Sequence, residues 1–555
     1  MARLLLQTLA LPFLAALLMP IVARLGDRAV RAWTLLVTLV TLTLTVSLCR
    51  GYLQESPGPD GFAVSDVAWL SSHATEMPLV ADGTTGPGTA IWDIRFHVGL
   101  DGLGLWLFAL APVLMLTSIL VSWEAIQDRP AWFYGMLLLL QGGCLGVFAA
   151  RDLILFYVFF EFTLLPLFFL IGIWGSEQRE YAATKFFLYT LAGSLFTFLG
   201  LLAIVLWHYQ QVGVLTFSIP ALTAGLTEHP IAPFGLQLAI FLALFAGFAI
   251  KVPLFPLHTW LPLAHVQAPT AGSIFLAGVL LKIGTYGFLR FSVPMLPDAT
   301  AACAPALLWL SVIGILYGAL VALAQTDIKR LIAYSSVSHL GFCMLGLFAL
   351  NRIGSSGSVL QMVNHGISTG ALFALVGMLY ERYHTREISA WGGLARRLPV
   401  LSCFMFLFTF SSIGLPLLNG FAGELLVLVG MFQRAWQGQL AEPFTQLKWI
   451  AVLSVVGVVL GAWYMLWLVQ RVFFGPLREP HGIHGAPVRD LKWREIAALV
   501  PLAVLAFWIG IYPQLFLRPI QPAVDALTHE AQGRWEAVDR PPLADRQAFL
   551  LRRSR

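Results

Sequence analysis

Apolar residues run in stretches of about 20, long enough to cross the ~30 Å hydrocarbon layer of a bilayer as a helix. Such runs lie at approximately 2–22, 31–50, 98–122, 131–150, 152–174, 180–208, 232–262, 269–293, 304–325, 328–350, 357–380, 399–433, 447–473 and 495–517. They predict an all-α polytopic membrane protein with about fourteen transmembrane helices. The first run reads as a mature span rather than a signal peptide, because Arg24, Arg28 and Arg31 follow it and no small-residue cleavage site is evident. Between the runs, residues 51–96, rich in Gly, Pro, Ser and Asp, form one long outer loop, and 518–555 a polar tail with no evident fold.

Two runs are interrupted in the same way. The seventh holds Lys251-Val-Pro253-Leu-Phe-Pro256-Leu-His258, and the twelfth holds Gly414-Leu-Pro416 with Gly420 and Gly423 before Glu424. Proline removes a backbone donor and clashes with the preceding turn, so each helix should break there. Broken helices at corresponding places in two halves point to an inverted-repeat transporter with a midplane pathway. The expected organisation is an N-terminal unit 1–130 with three helices and the outer loop, a five-helix repeat 131–293, a second of opposite topology 304–475, and a last unit 476–555 with a cytoplasmic loop, helix 14 and the tail.

Composition sharpens the class. Apolar residues are 58% of the chain and charged residues 11%, with a mean hydropathy of +0.79, whereas soluble proteins carry about 25% charge. That excludes a water-soluble surface, disorder and nucleic-acid binding as a main role. The five scattered cysteines, Cys49, Cys144, Cys303, Cys343 and Cys403, form neither a disulfide framework nor metal-ligand pairs and read as small core residues. No haem-attachment motif, iron–sulfur spacing or Gly-rich nucleotide fingerprint is present, so no cofactor is expected.

Charge placement adds sidedness. If the loop after the first span is cytoplasmic, alternate loops carry about 16 basic residues, among them Lys329, Arg382, Arg386 and Arg494, against about 7 on the other side. The positive-inside rule then puts both termini outside. The closing Arg552, Arg553 and Arg555 read as solvated tail.

The chain has 28 Arg but only six Lys, and Lys185, Lys251 and Lys282 fall inside apolar runs. An ionisable group near the bilayer centre costs on the order of 2.5–3.5 kcal/mol, so its default reading is functional. Glu161, Lys251, Lys282, His339, His365 and Glu424 all fall near the middle of their spans, where stray charges would instead sit near the ends and snorkel. Carboxyl, amine and imidazole groups at one depth suit a proton relay. Histidines held by backbone carbonyls, and a purely structural Glu161–Lys251 ion pair, stand as alternatives. His258 lies two turns past Lys251 if the helix is continuous, which the intervening prolines leave open. Lys185, about seven residues into its span, can equally snorkel or pair with Glu180 or Glu177.

The stretch Ala249-Ile-Lys-Val-Pro-Leu-Phe-Pro-Leu-His-Thr-Trp-Leu-Pro262, with Gln267-Ala-Pro-Thr-Ala-Gly272 and Leu280-Leu-Lys-Ile-Gly284, resembles the antiporter-like subunits of respiratory complex I. So do Phe160-Glu161-Phe162, Thr184-Lys185-Phe186-Phe187, Ala324-Gln-Thr-Asp-Ile-Lys-Arg330 and Tyr334-Ser-Ser-Val-Ser-His339. Asn364-His365-Gly366, Leu379-Tyr-Glu-Arg382, His384-Thr-Arg386 and Gly420-Phe-Ala-Gly-Glu424 resemble the M-type branch of that family, and the likeness covers about 97–475.

The resemblance implies a fourteen-helix core and a proton path in which Glu161 pairs with Lys251, Lys282 is the central carrier, and Glu424 lies toward a neighbouring antiporter-like subunit. His258, His339 and His365 match positions along that path. One departure is Leu263, where the family usually has an acid. The implied function is a proton-translocating membrane subunit of NADH:quinone oxidoreductase in the bacterial inner membrane, driven by electron transfer in other chains, with other membrane subunits, protons and lipid as its partners. A multi-subunit sodium/proton antiporter, hydrogenases and carbon-dioxide-hydrating complexes use the same core and remain alternatives. A non-pumping scaffold is disfavoured, since it has no reason to keep six central titratable groups.

Overall fold

The computed structural model describes residues 1–55, 57, 61–71, 92–436, 446–480 and 488–539. The main helices are α1 Ala2–Leu17, α2 Asp27–Glu55, α3 Leu105–Ala125, α4 Pro130–Ala149, α5 Leu153–Trp174, α6 Arg179–Val212, α7 Phe234–Lys251, α8 Trp260–Gln267 and α9 Thr270–Met295. They continue with α10 Pro297–Leu323, α11 Ile328–Phe348, α12 Arg352–Tyr383, α13 Pro399–Ser412, α14 Asn419–Trp436, α15 Gln446–Phe473, α16 Trp493–Ile511 and α17 Gln514–Asp539. Among the described residues twelve helices are long and apolar enough to cross a membrane. The predicted spans 2–22 and 399–433 are built from shorter pieces: α1 with the turn Met19–Ala23, and α13 with α14.

Breaks fall where proline cannot be accommodated. α7 stops at Lys251 and the next helix, α8, starts at Trp260, with Pro253 and Pro256 between them. α5 is itself two pieces, Leu153–Phe162 and Leu164–Trp174, because the ring of Pro166 meets the carbonyl of Phe162 one turn back. Between α13 and α14 the chain turns at Gly414 with φ +73°, and a Cβ there would lie 2.9 Å from Glu424 Oε2. Glycine therefore serves both the left-handed backbone and the approach of the carboxylate.

The helices are layered by polarity. In α9 and α12 every residue of the most apolar window is buried, and in α11 94% of it, whereas for α2, α15 and α16 the share is 39%. The inner helices carry Lys282, His339 and His365; the peripheral ones present apolar side chains outward, as a lipid-facing surface requires. α9 reaches the α7 break closely: a Cβ on Gly284 would meet the Phe248 carbonyl at 2.7 Å and the Val252 nitrogen at 2.9 Å.

Two polar segments hold more structure than their composition suggests. Within 51–96 and just beyond it, β1 Phe62–Ser71 pairs antiparallel with β2 Trp92–Leu100, and β3 Leu215–Thr216 adds a parallel edge. The tail begins as α17, whose Phe516, Leu517, Ile520 and Val524 are buried. Trp106 Nε1 donates to the Phe516 carbonyl at 2.8 Å, and Arg352 pairs with Asp525 at 2.9 Å. Sheet and α17 share one end of the bundle, since Gly102, directly after β2, abuts Pro519. The basic residues Arg552, Arg553 and Arg555 lie outside the described residues.

Candidate proton-relay site

Lys282 is fully buried at the centre of α9. The α-helical turns around it, Leu281–Gly287, are flanked by π-helical segments Leu276–Leu280 and Phe288–Ser292. A π-segment shifts the backbone hydrogen bonds and re-aims side chains; here Lys282 Nζ donates to the Ala277 carbonyl within the preceding π-segment. Its other partner is His365 Nδ1 on α12, at 2.6 Å. At that distance one hydrogen lies between the two nitrogens: either the amine or ammonium donates to the Nδ1 lone pair, or Nδ1–H donates to a neutral amine. Both forms fit one geometry, so a proton can move between α9 and α12 without a change of rotamer.

The ring of His365 lies 5.8 Å from that of His339 on α11, centroid to centroid. Between them is a polar cavity with room for about one water, lined by residues including Gln361, Asn364, Ser368, Ser411 and Ser412. His339 Nδ1 lies 3.2 Å from Glu424 Oε1, and its Nε2 lies 3.1 Å from Ser412 Oγ and 3.4 Å from the Tyr464 hydroxyl. With Glu424 ionised, Nδ1–H donates to the carboxylate and Nε2 accepts from a hydroxyl, a tautomer assigned from its partners. An imidazole so held has the chemistry to take a proton on one ring nitrogen and release one from the other toward Glu424. Gln361 Nε2 donates to the same carboxylate oxygen at 3.1 Å and fixes it in place.

The other predicted residues stand differently. Lys251 Nζ is buried with no hydrogen-bond partner and sits 4.5 Å from the centre of the Phe160 ring, next in sequence to Glu161. Glu161 Oε1 is likewise buried and unbonded, and each group is the main opposite charge acting on the other. The pair is near but open, and each member lies at a helix interruption. His258 is buried among Phe255, Tyr317 and Tyr334, with Nδ1 unpartnered and no hydrogen bond to the row. Lys185 is half-buried over Tyr181 at 6.0 Å and joins none of the others; among the described residues it forms no ion pair with Glu177 or Glu180.

Sequence reasoning missed three members. His265 on α8 is buried with both ring nitrogens unbonded, stacked 4.5 Å from Phe373, and within electrostatic reach of Lys282 and Lys329. Lys329, read as a loop cation, is in fact buried, and its Nζ donates to the Ala268 carbonyl at 2.6 Å. Tyr464 is fully buried beside His339. Only a histidine in an apolar stretch between Pro262 and Pro269 could have flagged His265.

The family model described as NADH:quinone oxidoreductase/Mrp antiporter, TM, matches residues 150–446, which span the row from Glu161 to Glu424. This chain belongs to that family. Among members of the antiporter family, NADH-quinone oxidoreductase subunit M of Rhodobacter capsulatus is 40% identical over 526 residues, 93% of this chain and 94% of that one. A chain of respiratory complex I from Thermus thermophilus superposes with a TM-score of 0.78 at 32% identity, covering 95% of this chain and 99% of the other. A chain of an Mrp complex from a Dietzia species shares the fold, with a TM-score of 0.74 at 22% identity and coverage of 96% and 99%. The antiporter-family chain described here is thus a polytopic membrane subunit of the kind that works within multi-subunit complexes.

Proposed function

We propose that the chain is the proton-translocating M-type subunit of a bacterial NADH:quinone oxidoreductase, moving protons along Glu161, Lys251, Lys282, His365, His339 and Glu424 while electron transfer occurs in other chains. The observation that carries the reading is the Lys282–His365 contact: two titratable nitrogens at 2.6 Å inside a helix core. A buried lysine can discharge, whereas a guanidinium does not. His265 and Lys329 extend the row beyond Lys282, and His258 and Lys185 flank it, with the Glu161–Lys251 pair acting as a switch that is open in this conformation. The subunit-M relatives favour the quinone-reductase setting over a sodium/proton antiporter.

The breaks after Lys251 and at Gly414, five predicted spans apart, support two inverted five-helix repeats, 131–293 and 304–475. Loop charge supports placing both termini, the sheet and α17 on the periplasmic side of the inner membrane. Neighbouring antiporter-like subunits are the proposed partners, and Glu424 is the group nearest such a contact.

The test is Lys282→Arg in the assembled complex. Arginine keeps the charge but holds its proton, so NADH-driven acidification of proteoliposomes should fall to a small fraction of wild type while quinone reduction and subunit content persist. Near-normal pumping would show that Lys282 is structural.

A further inference from the structure

Lys282, Tyr286 and Arg290 follow one another at four-residue spacing on α9; the Lys282 amine is aimed back at the Ala277 carbonyl, while Tyr286 and Arg290 meet each other on the way from the buried centre to the sheet end. Tyr286 is fully buried, packed edge-on to Phe148 at 5.3 Å. Its hydroxyl oxygen accepts from Arg290 Nε at 3.1 Å and from the same guanidinium's NH2 at 2.9 Å. That guanidinium also pairs with Asp101 Oδ2 at 2.5 Å, the side chains being only 18% and 23% exposed. Gly104 N–H donates to the other Asp101 oxygen at 3.0 Å and fixes the carboxylate from behind.

A hop of a proton along hydrogen bonds needs each oxygen to accept one proton before releasing another. The Tyr286 oxygen already receives two guanidinium hydrogens, so no lone pair is left for a proton coming from Lys282. Beyond it stands a cation that does not discharge, and a fixed arginine repels protons and cations in a narrow polar passage. We propose that Arg290, held by Asp101 and by the Tyr286 hydroxyl, is a fixed-charge barrier that stops protons passing between Lys282 and the sheet end of the molecule. This rests on the reading of Lys282 as a proton carrier. It also confines the proton: one at Lys282 is kept within the row that joins Lys251 to His365 and Glu424.

The experiment uses the whole complex in proteoliposomes. It measures the decay of an imposed pH gradient without NADH, then NADH-driven acidification and quinone reduction. Arg290→Gln keeps an amide donor and removes the charge, so passive decay should quicken several-fold while quinone reduction is retained. Adding Tyr286→Phe to that variant removes the freed oxygen and should restore a tight membrane. Tyr286→Phe alone should be as tight as wild type and pump normally.

An Arg290→Gln complex as tight as wild type overturns the barrier, as does lost pumping in Tyr286→Phe, which would make the phenol a conducting link. If Arg290→Gln does not assemble, Tyr286→Phe alone decides. Lys282→Arg is measured alongside: normal pumping there overturns the relay reading and the barrier with it. A tight Arg290→Gln beside a non-pumping Lys282→Arg overturns the barrier alone.

Discussion

Single residues in this chain are constrained by what one atom more would touch. Gly414 and Gly213 have almost the same backbone, φ +73° and +75°, yet a Cβ on Gly213 would meet nothing within 4 Å, while one on Gly414 would press on the Glu424 carboxylate. Both alanine variants should lose about 1–2 kcal/mol to left-handed strain. Only Gly414→Ala should also displace Glu424 from His339 and Gln361. Modest losses of heat stability in both, the larger in Gly414→Ala, with pumping reduced in Gly414→Ala alone, are therefore expected from thermal inactivation and acidification assays run side by side. Pumping reduced equally in both would mean that strain, not the carboxylate's position, is what matters.

At the scale of elements, the two members of the open pair each sit where a helix is broken, Glu161 just before Thr163 and Lys251 at the end of α7. A backbone free of its usual hydrogen bonds can shift there at small cost. Glu161→Gln and Lys251→Ala should then disable one shared step, so the double variant should pump hardly worse than either single one. Additive losses in log rate would sink the shared switch. The sheet carries a separate prediction. Burial holds the pKa of His97 on β2 below its ordinary 6.5; Asp66 pulls it up, and Arg151 and Arg95 reinforce the burial. The unfolded strand takes up a proton near 6.5 and the folded one only at lower pH, so acidification through this window favours unfolding. Strand amides should exchange hydrogen faster at pH 5.5 than at 7.5, and His97→Gln should flatten that difference. The alternation that makes β2 a strand is plain in Ile94, Phe96, Val98 and Leu100 against Asp93, Arg95 and His97, but the Gly- and Pro-rich surroundings masked it. In α17 the stripe Phe516, Leu517, Ile520 and Val524 was hidden in the same way by Pro519 and Pro522.

Across the whole molecule, one ion pair ties distant parts of the chain. Arg382 at the end of α12 donates to both oxygens of Glu495 on α16, at 2.9 and 2.6 Å, and to the backbone of Arg489 and Asp490. Arg382→Ala leaves the buried Glu495 carboxylate without this cation, held by the Lys492 N–H at 2.7 Å, a change typically costing about 3–5 kcal/mol, and should lower the temperature at which the assembled complex dissociates. Arg382→Met with Glu495→Met should recover much of the loss; no recovery would mean that the backbone contacts, not the charges, hold α16. Spans, helix breaks and mid-span titratable groups were legible from sequence because bilayer thickness, proline geometry and the cost of buried charge act locally. The π-segments around Lys282 were not, since Leu276-Ala-Gly-Val-Leu280 has no composition that marks them. Nor were His265 and Lys329, whose burial depends on α8, α11 and α12 closing over them. The complete enclosure of the apolar middles of α9 and α12 has a practical meaning. Lys282 and His365 face only protein and the small internal cavity, so exchanging lipid for detergent changes nothing that touches them. Spectroscopy on solubilised complex should therefore report the same sharing of that proton as the native bilayer does, and bilayer thickness can reach it only by moving whole helices.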